Sequence, residues 1–259
     1  MFSTNPFAAL TAFVPAGALQ GYLVLMAVAV ALGTVVDLVA GRKARFFLAQ
    51  RQHARAMARR RLGALETAAV TARTVATDIA TFGEFCNPQR RISHMLMFYG
   101  FVLYLVTTVT LVFAYPGEVR PPAVLPALWS LGVLMNLVGG YWFFLLLRVN
   151  VVHDGQPPWR LVRADLFIVC LLASMTFALL FQIAATIGNA NVILAFAGLY
   201  LGFTTLLFVT VPWSKFPHMF YKPVVAVQKR LDEASGASDL PAAATTATVG
   251  EARCPPSRT

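Results

Sequence analysis

Two of the four histidines in this chain flank long apolar stretches, a placement that would suit metal-ligand chemistry. His94 stands near the start of one stretch, in "RRISHMLMFYGFVL", and His218 follows the end of another, in "VPWSKFPHMFYKP". Two neutral imidazoles that face each other across a helix bundle form the axial ligand set of a low-spin b haem. The haem propionates need cations, and Arg91 and Lys215 stand close to the two histidines in the sequence. We therefore predict His94 and His218 as ligands of a haem iron, with Arg91 and Lys215 near the propionates.

The positions of the histidines alone are equally compatible with a structural role. Interfacial His, Trp, Tyr and Lys residues commonly anchor the end of a membrane helix. The two other histidines are predicted to be solvated, because His53 lies in an arginine-rich segment and His153 in the loop "VNVVHDGQPPW".

The composition indicates an integral membrane protein. Of the 259 residues, 58% are hydrophobic and only 12% are charged, about half of the charged fraction of soluble domains. The formal net charge of +10 therefore does not by itself indicate a nucleic-acid partner, and we predict none.

The three cysteines, Cys86, Cys170 and Cys254, lie too far apart for an iron–sulfur or zinc site of the usual spacing.

Five apolar blocks are long enough to cross a bilayer, which takes about 20 residues. They cover residues 17–40, 92–115, 123–147, 165–188 and 192–213. Eleven Lys and Arg residues lie between the first two blocks, whereas the opposite side of the membrane would carry only Arg120. The positive-inside rule then places the N-terminus outside and the C-terminus in the cytoplasm. The predicted fold is an all-α integral membrane protein with five transmembrane helices.

The remaining segments are read from charge and composition. We predict an N-terminal segment with the first span (residues 1–40), followed by a basic cytoplasmic helical segment (41–91). The four further spans cover residues 92–213. A cytoplasmic His/Lys segment (214–232) and a disordered tail (233–259) follow. Because residues 41–85 contain no proline, we expect the first span to continue as one helix with Arg51, Arg55 and Arg59 on one side. This basic side suits either membrane lipids with anionic headgroups or a soluble partner protein.

The segments around His94 and His218 resemble those of membrane cytochromes b. The run "PWSKFPH" resembles the end of the last helix in the gamma subunit of respiratory nitrate reductase, where a Pro-aromatic-Ser/Thr-basic run leads to a haem-ligand histidine. Both segments together are similar to the cytochrome b-type subunits of heterodisulfide reductase-like complexes and to the membrane domain of tricarballylate-utilisation proteins. The resemblance extends over roughly residues 88–232.

This resemblance implies one b haem where nitrate reductase gamma subunits hold two. It assigns His94 and His218 to the haem near the cytoplasmic face, and it aligns Tyr104 and Tyr200 with the ligand positions of the outer haem. Tyrosine is not a usual ligand of a low-spin b haem, so the outer haem is expected to be absent.

The size of the chain, its lone membrane domain and its long basic segment are also similar to the membrane anchor proposed for dissimilatory adenylylsulfate reductase in sulfur-oxidising bacteria. The resemblance implies a subunit in the bacterial inner membrane that links the quinone pool to a cytoplasmic iron–sulfur/flavin oxidoreductase of sulfur metabolism.

Two other functions stay open. The chain could be a haem-less membrane anchor for the same kind of partner, or a small transporter, although the sequence has no internal repeat and no broken helices typical of transporters. Within the spans, Asn136 and Gln182 are predicted to form hydrogen bonds between helices, and Gly139 and Gly140 to permit close helix packing.

The distribution of Lys and Arg gives a direct test of orientation. A topology reporter fused after Arg230 should be active only if it functions in the cytoplasm, because the basic connections are retained on that side. Activity of a periplasmic reporter at this position would contradict the predicted orientation.

Overall fold

A computed structural model of the protein describes residues 4–40, 43–82, 87–117, 119–148, 161, 165–213 and 218–237. The longer elements in these ranges are all α-helices: α1 (Pro6–Thr11), α2 (Ala16–Ala40), α3 (Lys43–Met57), α4 (Ala64–Thr74), α5 (Pro88–Phe113), α6 (Val124–Trp142), α7 (Leu166–Ile187), α8 (Ala190–Val209) and α9 (His218–Ser235). Helices α4 and α6 each continue into a wider π-helical turn, Val75–Ala80 and Phe143–Leu147.

Five helices are long and apolar enough to cross a membrane: α2, α5, α6 with its π turn, α7 and α8. Their ends agree with the five predicted blocks to within four residues. The prediction of an all-α protein with five membrane-spanning helices is confirmed. The orientation of the termini stays a prediction.

The chain divides into two compact units. We call Met1–Val35 with Ile92–Phe216 the membrane unit, and Val36–Arg91 with Pro217–Thr259 the basic unit. The His/Lys segment and the tail predicted from the sequence lie partly outside the described residues. Helix α9 extends to Ser235, and residues 238–259 lie beyond the described part of the chain.

Three glycines bring α5 and α6 of the membrane unit into backbone contact. A methyl group added at Gly132 would lie 2.7 Å from the backbone nitrogen of Tyr104 and 2.9 Å from the carbonyl oxygen of Gly100. A methyl group at Gly139 would lie 2.8 Å from the carbonyl oxygen of Ser93. Only glycine permits so close an approach of two helices. The prediction that Gly139 permits close packing is thereby confirmed.

Polar side chains in the membrane unit pair with each other across helices. Gln182 of α7 donates to Ser130 of α6 over 2.8 Å, and Ser174 of α7 bonds to Thr204 of α8 over 2.7 Å. The interhelical hydrogen bond predicted for Gln182 is confirmed. The same prediction for Asn136 is wrong, because its amide nitrogen donates to the carbonyl of Gly132 in its own helix.

The basic segment is not one continuous helix, contrary to the expectation from the sequence. Helix α3 ends at Met57 and α4 begins at Ala64. The backbone N–H groups of Arg59 and Arg60 instead donate to the carbonyl of Ser235, at 3.0 and 3.2 Å, where they cap the C-terminus of α9. Consecutive arginines and Gly63 also weaken a helix at this point. Arg59 therefore does not share a helix face with Arg51 and Arg55.

A buried ion pair joins distant parts of the basic unit. The Nε of Arg230 in α9 donates to the carboxylate of Asp78 over 2.9 Å, and the Asp78 side chain is only 2% exposed. Partial burial alone would lower the pKa of Arg230, but hydrogen bonds to Glu233 and Asp78 outweigh it and raise the pKa above its ordinary value. The guanidinium is thus charged at any pH at which the protein functions, and the pair fixes α9 against the turn that follows α4.

The glycine contacts generate a matched pair of substitutions. Gly132→Ala should destabilise the protein by about 1–3 kcal/mol, because the new methyl group meets backbone atoms that cannot move aside. Gly198→Ala is the control, since a methyl group there meets open space and should be neutral or stabilising by up to about 1 kcal/mol. Thermal unfolding in detergent measures both changes, and equal midpoints for the two variants would show that α5 and α6 are not packed this closely.

Candidate functional site

His94 lies on α5 at one end of the membrane unit, beside the π turn of α6. Its ring is half-buried and meets Phe143 edge-on, with the ring centroids 4.8 Å apart and the planes at 81°. Phe143 is the first residue of the π turn, and single π turns within helices occur frequently at functional sites. This contact restricts the orientation of the imidazole. The role of His94 as a haem ligand stays a prediction.

The other predicted site residues are described to different extents. Arg91 lies in the first turn of α5, where its Nε donates to the carbonyl of Thr81 over 2.6 Å. His218 begins α9 in the basic unit, but its side chain is outside the described residues, as is Lys215. His53 is exposed on α3, and His153 lies outside the described residues. The pairing of His94 with His218 stays a prediction.

Tyr104 and Tyr200 contact each other directly. The resemblance aligns these two positions with the ligands of the outer haem. The hydroxyl groups of the two tyrosines form a hydrogen bond between α5 and α8, and the residues are 4% and 3% exposed. A porphyrin placed between them would have to break this bond and separate the two helices. The side chains therefore do not fit a second haem at this position.

The neighbours of the tyrosine pair indicate a structural role. Phe181 stacks on Tyr200 with centroids 6.2 Å apart, and Trp129 packs beside Tyr104 at 5.8 Å. The indole nitrogen of Trp129 donates to the hydroxyl of Thr108 over 2.9 Å. An indole N–H cannot accept a proton, so no proton can be relayed onward through Trp129. The cluster joins α5, α6, α7 and α8 at about 15 Å along α5 from His94.

An ion pair that the sequence did not reveal lies at the same end of the membrane unit as His94. Arg148, directly after the π turn of α6, pairs with Asp165 at the start of α7, and each side chain is only 10% exposed. The guanidinium also lies over the ring of Phe144, 4.7 Å from its centroid. One feature of the sequence could have indicated this pair. Asp165 is an acidic residue at the start of an apolar span, and the preceding apolar span ends just before Arg148. The pair joins the end of the π turn of α6 to the start of α7.

The amide of Asn136 is buried and only partly satisfied. The Asn136 Oδ1 has no hydrogen-bond partner within the described part of the chain, although the residue is fully buried. In those same ranges, no group of three or more His, Cys, Asp and Glu side chains could hold a metal ion. A haem held by two imidazoles does not require such a group.

Comparisons with known proteins identify no relative. No family model matches the chain, and neither a curated protein nor a solved structure is similar to it. The resemblance of the two histidine segments to membrane cytochromes b therefore stays an expectation from the sequence.

The tyrosine pair predicts a non-additive loss of stability. Tyr104→Phe and Tyr200→Phe should each cost about 0.5–2 kcal/mol, because each leaves one buried hydroxyl without its partner. The double variant should cost little more than either single variant, since the bond is lost only once. Thermal unfolding in detergent provides the measurement.

Tyr141→Phe is the control for this experiment. Tyr141 is 41% exposed and bonds to Thr176 over 3.0 Å, but the Thr176 hydroxyl also donates to the carbonyl of Leu172 and stays satisfied without it. If the three single variants lose equal stability, or if the double loss is additive, the tyrosine pair is not a coupled contact.

Proposed function

We propose that this chain is a membrane anchor and electron-transfer subunit that connects the quinone pool to a cytoplasmic iron–sulfur/flavin oxidoreductase through one b haem. The main structural support is the half-buried His94 imidazole, which Phe143 orients. The Arg148–Asp165 ion pair lies at the same end of the helix bundle. Further support is the similarity of the His94 and His218 segments to haem-ligand segments of membrane cytochromes b.

The packing of the membrane unit favours an anchor over a transporter. Transporters form their substrate sites at discontinuous helices near the bilayer midplane. Here the interior polar groups of Gln182, Ser174 and Tyr104 bond to side chains of neighbouring helices. Side chains that satisfy each other in this way hold helices together and do not line a path for a substrate.

The haem would be held by His94 and His218, with Arg91 and Lys215 near the propionates. When bound, it would supply one-electron redox chemistry between a two-electron quinol and the partner enzyme. The residues of the chain hold and orient the group. Phe143 restricts the orientation of the His94 ring, and the Nε of Arg91 donates a hydrogen bond to the carbonyl of Thr81.

The partner must contribute its own flavin and iron–sulfur centres, because Cys86, Cys170 and Cys254 are too widely spaced to ligate a cluster. A cytoplasmic enzyme such as dissimilatory adenylylsulfate reductase would meet this requirement. The location that follows is the bacterial inner membrane, with the basic unit in the cytoplasm.

A haem-less anchor is the second candidate, and the tyrosine pair favours it. A hydrogen bond between the hydroxyl groups of Tyr104 and Tyr200 joins α5 to α8. In nitrate reductase gamma subunits, a haem joins the two corresponding helices. A chain that has replaced one haem by protein contacts could have replaced the other in the same way. The two candidates differ in whether His94 and His218 bind iron.

The histidine pair gives the test. Wild type should bind one b haem per chain, and His94→Ala and His218→Ala should each abolish the low-spin spectrum, because six-coordinate iron needs both imidazoles. His53→Ala and His153→Ala are matched controls that should keep the spectrum. Tyr104→Phe and Tyr200→Phe should also keep it. The measurement is the reduced-minus-oxidised visible spectrum of each purified protein.

Two results would contradict the proposal. A low-spin spectrum that survives either histidine variant would assign the iron to other ligands. A folded wild type without a Soret band, expressed with ample haem, would leave the haem-less anchor as the function.

A further inference from the structure

Helix α3 carries large apolar side chains that none of the described residues of the basic unit covers. Phe46 is 70% exposed and Met57 is 52% exposed. They are eleven residues apart, which is about three helical turns, so they lie on one face. Ala49 and His53 lie between them on this face and are exposed as well. An aromatic ring exposed to this extent is unfavourable in water, and this face therefore needs a covering partner.

The charge around this face has one sign. Arg45 flanks it, about 100° around the helix from Phe46, whereas Arg51 and Arg55 lie on the opposite face of α3, and all three side chains are exposed. Residues 38–65 contain eight Lys and Arg and no Asp or Glu. A partner of α3 must therefore be anionic as well as apolar.

The position of α3 in the chain favours lipid as that partner. The helix begins only two residues after α2, a membrane-spanning helix, has ended. Arginine clusters next to a membrane span recognise anionic headgroups, and aromatic side chains settle at the same depth. A protein groove instead takes a helix through large anchors at successive i, i+3 or i+4 and i+7 positions, whereas Ala49 and His53 separate Phe46 from Met57.

We propose that α3 lies in the headgroup region of the membrane and binds anionic phospholipids, with Phe46 and Met57 inserted, Arg45 on a phosphate group, and Arg51 and Arg55 held by the negative potential of the membrane surface. Helix α3 then fixes the basic unit at the bilayer surface by lipid charge. This proposal is independent of the haem and of the identity of the soluble enzyme.

The test uses the full chain in vesicles of phosphatidylcholine with or without phosphatidylglycerol. A polarity-sensitive fluorophore is attached at Phe46→Cys after Cys86→Ser, Cys170→Ala and Cys254→Ser. With phosphatidylglycerol present, the emission should shift to the blue and nitroxide-labelled lipids should quench it. About 1 M NaCl, which shortens the Debye length to about 3 Å, should reverse both effects.

Charge variants supply the matched control. The triple change Arg45→Gln, Arg51→Gln and Arg55→Gln should weaken the lipid-bound state by at least about fivefold, since a cation at an anionic surface contributes about fivefold and the two cations on the opposite face add to this. Arg61→Gln, Arg73→Gln and Lys229→Gln remove the same charge from exposed positions outside α3 and should leave the shift intact.

Three results would overturn the proposal. The fluorophore could stay in water in both kinds of vesicle, or become shielded equally with and without phosphatidylglycerol. It could also stay in water with lipid alone and become shielded only when a soluble partner enzyme is added, in which case α3 would be a protein-docking helix.

Discussion

The interior of a lipid bilayer offers no hydrogen-bond partner, and this constraint determines how the membrane unit is arranged. Each polar side chain within the spans must bond to another part of the protein or lose free energy. Gln182 and Ser130 meet this requirement between α7 and α6, and Tyr104 and Tyr200 meet it between α5 and α8. These bonds also fix the register of the helices, because each forms only when both residues lie at the same depth.

The two ends of the membrane unit differ in how they are built. At one end, α1 inserts Phe7 edge-on against Trp129 with centroids 5.8 Å apart, and the tyrosine pair lies nearby. At the other end, His94 meets the π turn of α6, and Arg148 pairs with Asp165. Ionisable and ligand-type groups thus gather at the end that the positive-inside rule predicts to face the cytoplasm.

Hydropathy was sufficient to predict the spans, because roughly twenty consecutive apolar residues are stable only in a helix that crosses the bilayer or a large core. Contacts between distant residues were not predictable in the same way. Arg230 and Asp78 are 152 positions apart, and the interruption of the basic helix at Arg59 and Arg60 depends on the carbonyl of Ser235. Tyr104 and Tyr200 could be recognised as unusual by resemblance, but only the structure shows that they bond to each other. Asn136 was predicted to bond between helices, because the sequence does not reveal that a carbonyl of its own helix accepts from its amide.

We propose that electrons pass between quinol and this chain in the membrane. Adding a reduced quinone analogue to the oxidised wild-type protein in vesicles and recording the visible spectrum tests this transfer. The quinol should produce the sharp α-band of a reduced low-spin b haem, with a yield close to that obtained with dithionite. A haem that dithionite reduces but quinol does not, or a protein with no haem absorbance, would contradict this proposal.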